Sequence, residues 1–183
     1  MIFYKKLPLS LRDLVLRKDI DPIKMVEPFN LKGHNWALFD PQELITNEGF
    51  EFFNNLGISL NKQIAIFKIE KDFTGSIHID SAPHIFAFNF IMSGEGVIQW
   101  VNVDGDKFVS QYEDKYHTSN PFLRWDTIGN IEIIDSTDFS DILVRVDVPH
   151  RVVGGKEDRY VISVRPKWPC PLSFEEIVTK LNL

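Results

Sequence analysis

The sequence predicts a mainly β protein, a jelly roll or β-sandwich of about eight short strands with helices flanking it on the N-terminal side. Three observations lead there. From Gln63 onward, apolar and polar residues alternate with a period of two, the mark of strands. Turn-forming residues punctuate the alternating stretches at Ser93-Gly-Glu-Gly96, Asp104-Gly-Asp106 and Gly154-Gly155. Before Gln63 the apolar spacing is helical or irregular, and helices followed by a run of strands lack the alternation that a parallel βαβ sheet requires.

Taken in order, residues 9–18 place Leu11, Leu14 and Val15 at helical spacing. One further helix is expected from Pro41 through Leu44, Ile45, Phe50, Phe53 and Leu56, with Gly57 as its stop. Strands are expected over 64–70, 75–80, 84–93, 96–101, 107–112, 130–134, 142–150 and 159–165. The stretch from Glu113 past Trp125 reads as a long loop bordering the mouth of the sandwich, where it would set specificity. Ser173 stands three residues ahead of Glu176, the spacing of a capping box, which predicts a short helix within 173–183. No G-x-G-x-x-G follows a strand, so a dinucleotide-binding fold is excluded.

Composition narrows the class. The 183 residues carry a net charge of −6 and include fifteen Phe and four Trp, enough to fill a core and far from a disordered composition. A single domain over 1–183 is expected: a helical flank at 1–60, the β core at 61–168 and the final helix at 173–183. Cys170 is the only cysteine, which excludes an internal disulfide and a Cys-rich zinc site. No apolar run approaches the ~20 residues of a membrane span, and the first residues lack a signal-peptide pattern, so a cytoplasmic location is expected. The acidic balance and the absence of a basic cluster argue against a nucleic-acid partner, leaving a small molecule or a peptide. A homodimer is compatible with this composition.

The chemistry concentrates in a few positions. In His78-Ile79-Asp80 the imidazole and the carboxylate lie two apart on a strand and point to one face, two adjacent corners of a metal's coordination sphere. About 0.4 such His-x-Asp pairs arise by chance in this composition, so the dyad alone is a weak signal. A second imidazole would complete a two-His-one-carboxylate set, and His150 offers it at the end of an apolar stripe formed by Ile142, Val144, Val146 and Val148. His84 is a spare ligand candidate. Nine residues beyond His150, the stretch 159–165 puts Arg159, Val161, Ser163 and Arg165 on one face and Tyr160, Ile162 and Val164 on the other. A guanidinium with a nearby hydroxyl suits a carboxylate ligand, although Arg159 is also placed to bridge Glu157 or Asp158. Asn89 is the lone polar residue on the strand face opposite Phe86, Phe88 and Phe90. Trp100 and Trp125 read as core.

The ordered set His78-x-Asp80, His150, Arg159-x-x-x-Ser163 resembles the Fe(II)/2-oxoglutarate-dependent oxygenases. PHRVVGGKEDRYVISVR is similar to the closing motif of their aspartyl/asparaginyl and prolyl hydroxylase-like branches, and IHIDSAPHIFAFNFIMSGEGVIQW to the opening motif of small members. The likeness covers residues 64–166 and implies a double-stranded β-helix core. It further implies Fe(II) on His78, Asp80 and His150, with 2-oxoglutarate chelating the metal. The far carboxylate of that cosubstrate would rest on Arg159 with help from Ser163; Arg165 is the rival anchor, and Asn89 would hydrogen-bond the cosubstrate. The implied reaction converts the cosubstrate to succinate and oxidises a C–H bond, most simply a hydroxylation. Asp80 points away from the aspartyl hydroxylase branch proper, whose members often lack the metal carboxylate. Two other readings share the fold. One is a cupin-like protein holding Zn, Mn or Ni, as a non-oxidative enzyme or ligand sensor without 2-oxoglutarate. The other is a jelly roll that only packs against a partner.

Overall fold

Long-range strand pairing, rather than local pattern, organises this chain. The computed structural model describes residues 1–80, 85–104, 107–110, 122–125, 130–138, 140–167 and 169–183. In chain order the elements are β1 (Tyr4–Lys6), α1 (Leu9–Val15), α2 (Pro22–Val26), β2 (His34–Phe39), α3 (Pro41–Leu44), α4 (Asn47–Leu56), β3 (Ile64–Ile69), β4 (His78–Ile79) and β5 (Phe86–Ser93). There follow β6 (Gly96–Val103), β7 (Lys107–Ser110), β8 (Phe122–Trp125), β9 (Ile131–Ser136), β10 (Ile142–Arg145), β11 (His150–Gly154), β12 (Arg159–Val164) and α5 (Phe174–Lys180).

The strands form two six-stranded sheets, ordered β1-β10-β5-β12-β3-β2 and β7-β8-β4-β11-β6-β9, with every neighbouring pair antiparallel. From β3 to β6 and again from β9 to β12, the chain alternates between the two sheets at each step. That winding is a double-stranded β-helix, the jelly-roll architecture of the cupins.

The period-two pattern sorts side chains into two cores. Between the sheets lie Ile69, Ala87, Ile91, Ile98, Trp100, Ile142, Val144, Val146, Val152 and Val161. On the outer side of the first sheet, Ile66, Phe86, Phe88, Phe90, Leu143, Tyr160, Ile162 and Val164 pack against Leu11, Val15, Leu44, Phe53, Phe174 and Ile177 of the helices. The first sheet is therefore buried on both faces, and all six residues of β12 are buried. Phe53 of α4 meets Phe88 edge to face, with ring centroids 5.2 Å apart.

Several expectations change. The helix expected from Pro41 to Gly57 is two helices, because Ile45 and Thr46 are extended and the Thr46 hydroxyl caps α4 by accepting from the Gly49 amide. Gly57 does stop α4, at φ 81°, as the sequence indicated. The strand expected over 142–150 is two strands in different sheets, joined by a crossover at 146–149, so His150 opens β11 instead of ending a strand. The strand expected over 75–80 pairs regularly only at His78 and Ile79. Phe122–Trp125, read as loop, is β8. Strands β1 and β2 and helix α2 were not expected. The final helix is as anticipated: Ser173 and Glu176 each accept from the other's backbone in a complete capping box. Among the described residues no helix is long and apolar enough to cross a membrane.

Phe53→Ala should remove about 3–5 kcal/mol of stability, since a buried ring is lost from a two-sided core. Urea unfolding measures this, and a loss below about 1 kcal/mol would show that α4 does not contribute to this core.

Candidate metal centre

Strands β4 and β11 are antiparallel neighbours, and His78 stands directly opposite His150 in their register. Residues paired in this way project from the same face of the sheet. The face is the inner one, because Val152, two residues beyond His150, belongs to the core between the sheets. Asp80 follows His78 by two residues and is held by its backbone N–H, which donates to the Val146 carbonyl at 3.0 Å. The crossover leading into β11 thus also places the end of β4.

One donor atom from each of His78, Asp80 and His150 lies within 4.8 Å of the other two. The imidazole centroids are 4.4 Å apart. His78 Nδ1 lies 2.9 Å from the Ser76 carbonyl oxygen and His150 Nδ1 lies 2.9 Å from the Val148 carbonyl oxygen. A carbonyl can only accept, so each Nδ1 carries the proton it donates. Each Nε2 is thereby left as the nitrogen aimed at the shared space, the second hydrogen bond that orients metal-binding histidines. His78 Nε2 is 3.4 Å from Asp80 Oδ1. The other carboxylate oxygen, Oδ2, has Arg165 Nη2 at 2.7 Å. That approach is close but not aligned as a hydrogen bond, so it acts as a charge contact.

The electrostatics suit a cation. Burial alone would raise the Asp80 carboxyl, but the Arg165 charge and the hydrogen bond from His78 overcome it and hold the group well below its usual range. Burial, reinforced by the neighbouring His78, pushes His150 down to about 4. Burial also opposes the charged form of His78, but its hydrogen bond and charge contact with Asp80 outweigh that and raise it. At neutral pH Asp80 is already an ionised carboxylate and His150 a neutral imidazole, the forms a metal requires, whereas His78 is drawn toward its protonated form by Asp80 and would give up its Nε2 proton on binding a metal.

A second group of polar side chains lies on the facing sheet. Arg159 and Ser163 of β12 alternate with Tyr160, Ile162 and Val164, which pack under the helices, and so point between the sheets. Asn89 of β5 does the same and is the register partner of Ser163. Arg159 is only 1% exposed, and its Nε and Nη2 have no hydrogen-bond partner. Burial alone pushes its guanidinium down to about 10. Ser163 Oγ and Asn89 Oδ1 are buried and unpartnered as well. The bridge from Arg159 to Glu157 or Asp158 that the sequence allowed does not form; Asp158 instead meets Lys68 Nζ at 3.3 Å and accepts from the Lys71 amide.

Arg165, the rival anchor, sits on Asp80. Its place on the same odd-numbered face as Arg159 and Ser163 was the available signal for this. Trp100 is fully buried, as expected of core, and has a further part: it pairs with His150 in register, and its indole N–H donates to the Arg145 carbonyl at 3.1 Å. Phe3 and Tyr4 stack on it at 5.5 and 5.6 Å. His84, residues 113–121 of the anticipated specificity loop and the Trp125 side chain lie outside the described residues.

No family model and no curated protein sequence matches the chain. Solved structures do. A prolyl-4-hydroxylase from Pseudomonas putida is matched over 89% of this chain and 91% of its own, at 10% identity and a TM-score of 0.46. A Burkholderia pseudomallei oxidoreductase of the 2OG-Fe(II) oxygenase family is matched over 66% of this chain and 52% of its own, at 13% identity and a TM-score of 0.34. Vicilin from hazelnut, Corylus avellana, is matched over 75% of this chain at 10% identity and a TM-score of 0.38. The chain spans only 29% of that vicilin's length.

In metal-free protein, His150 should make stability fall with acidification. Its folded value near 4 lies below the ~6.5 of an unfolded histidine, so between those values the unfolded chain takes up a proton that the folded chain refuses. Asp80 works in the same direction at lower pH, whereas the raised His78 contributes stability below about pH 6.5 that is lost as pH rises. The groups facing His150 are His78, Asp80 and Arg165. Urea unfolding of chelator-treated protein should show the loss from about pH 6.5 to 4, with a shallower slope in His150→Asn.

Proposed function

We propose that the protein is a non-haem Fe(II) and 2-oxoglutarate-dependent oxygenase that hydroxylates a small molecule or a peptide side chain. The observation that carries this reading is Arg159: a fully buried guanidinium with two unpartnered nitrogens, on the wall facing the His78–Asp80–His150 cluster. A buried charge without a partner costs several kcal/mol, so a ligand anion is its natural complement. Unpartnered Ser163 and Asn89 supply further polar contacts on the same wall. The surrounding Ile69, Ile91, Ile98, Val152 and Val161 are aliphatic and suit the methylene chain of a dicarboxylate.

The donor set fits the metal. Two imidazoles and one carboxylate are the ligands that leave positions open on Fe(II), and the bound metal supplies the oxidative chemistry driven by decarboxylation of 2-oxoglutarate to succinate. The chain's own part is to bind and orient. His78 and His150 present Nε2 because backbone carbonyls occupy Nδ1. Arg165 holds Asp80 ionised and occupies the space beside Oδ2, which favours ligation through one oxygen. Arg159 takes the distal carboxylate through its paired donors, with Ser163 adding a hydroxyl donor. The aliphatic side chains between the sheets would shield the bound metal and cosubstrate from water.

A cupin-like protein without 2-oxoglutarate chemistry would need the metal cluster but not a buried anion anchor beside it. Anaerobic addition of Fe(II) and 2-oxoglutarate should give the weak visible charge-transfer band of the chelate, and folded His78→Ala should lose it. Arg159→Ala should weaken 2-oxoglutarate binding by about 30-fold or more, while Arg165→Ala should chiefly weaken metal binding. Metal uptake with neither the band nor succinate release would favour the cupin-like reading. No metal uptake at all would leave a scaffold.

A further inference from the structure

The inward stripes of the second sheet taper. Along β6 the inward positions read Trp100, Ile98, Gly96, and along β11 they read His150, Val152, Gly154, with Gly96 and Gly154 opposite each other in register. Bulk stands at the metal end and no side chain at the other. Arg159 enters that gap from the facing sheet. A Cβ added at Gly96 would lie 3.1 Å from Arg159 Cδ and 2.8 Å from the Val153 carbonyl oxygen, and Gly96 has φ +150°, a conformation that side chains disfavour. Gly154 serves a different contact, since its missing Cβ would meet the Glu70 carbonyl oxygen at 2.4 Å.

We propose that Gly96 is a positioning residue for the carboxylate anchor. Its bare Cα is the surface against which the stem of Arg159 lies, and it sets how far the guanidinium extends into the cavity. It thereby sets the length of dicarboxylate that can reach the metal and the anchor together. The inference rests on the reading of Arg159 as the cosubstrate's carboxylate anchor. Gly96 touches neither metal nor cosubstrate; it acts through Arg159.

The test compares wild type, Gly96→Ala, Arg159→Ala and the double variant, each loaded with Mn(II) in place of iron. Calorimetric titration with 2-oxoglutarate, and with oxaloacetate as the diacid one carbon shorter, reads binding without turnover. Gly96→Ala should weaken 2-oxoglutarate by roughly tenfold or more and change the ratio of the two dissociation constants, with Mn(II) affinity unchanged. Wild type that binds 2-oxoglutarate beside a Gly96→Ala protein that binds both acids within about twofold of it would overturn the inference and leave the functional reading standing. Wild type that binds no 2-oxoglutarate would overturn the reading and this inference with it. Thermal unfolding of the four proteins covers the case in which Gly96→Ala folds poorly. Removing the Arg159 stem should then restore part of the lost stability, as expected of two side chains in contact. An equal loss in both backgrounds would make the Val153 carbonyl the reason for the glycine, and the inference would fall.

Discussion

The candidate site depends on one narrow ladder, the pairing of β4 with β11. Strand β4 contributes two residues, and its His78 is matched to His150 alone in β11. Around that match, Gly75 N–H donates to the Val152 carbonyl, Asp80 N–H to the Val146 carbonyl, and Thr74 bridges Val153. The opposite edge of β11 is secured over five residues by β6, including Trp100 beside His150. The second imidazole is thus fixed by a full ladder, and the first by the fringe of that ladder together with the pairing of β4 to β8 on its other edge. Since antiparallel partners share a face, this one register converts residues 72 positions apart into neighbours.

Two guanidiniums lie on one face of the β12 stretch, Arg159 at its start and Arg165 just past its end, and they differ in one respect. Arg165 is neutralised within the chain by Asp80. Arg159 is not neutralised by any described residue, and burial pushes it down to about 10 with no carboxylate to oppose that. Uncompensated buried charge is costly, whereas a paired one is close to balanced. The pairing of Arg165, with the hydrogen bond from His78, also explains why Asp80 is held ionised although its burial pushes the other way. The polarity between the sheets is therefore asymmetric: an acid faced by a guanidinium near the end of β4, and a guanidinium with unpartnered nitrogens at the start of β12.

Much of this was legible from alternation. Phe86, Phe88 and Phe90 do lie opposite Asn89, and the odd and even faces of 159–165 separate into cavity and helix-covered core as the spacing implied. The strand over 142–150 was misread for a physical reason. Val146 and Val148 pack in the same inter-sheet core as Ile142 and Val144, so burial sustains the period of two across a crossover that is not a strand. Strands β1 and β8 were missed because each is short and owes its conformation to a distant partner, and β2, six residues long, because it lies within the stretch whose apolar spacing reads as helical or irregular and is set by its pairing with β3. The charge contact of Arg165 was hidden because sequence spacing places it on the right face without saying which acid it meets. Gly96 read as turn material; only the facing sheet shows that the missing side chain makes room for an arginine.

The helical flank acts on the site indirectly. Helices α1, α3, α4 and α5 bury Leu11, Val15, Leu44, Phe53, Phe174 and Ile177 against the outer side of the first sheet, away from the cavity. What they stiffen is the wall that carries Arg159, Ser163 and Asn89, since β12 and β5 sit at the centre of that sheet. Helix α5 reaches further. Arg145, at the end of β10, pairs with Glu175 at 2.7 Å and Asp147 at 2.9 Å while its guanidinium lies over the Phe174 ring. Its carbonyl receives the Trp100 indole. The exposed pair with Glu175 is worth little by itself, but it is anchored to the crossover whose next residues hold Asp80 and present His150. A surface helix and the His78–Asp80–His150 cluster are thereby joined through four residues of backbone. One sheet, braced by helices, thus carries Arg159, Ser163 and Asn89, and the facing sheet carries His78 on a two-residue strand held between β8 and β11.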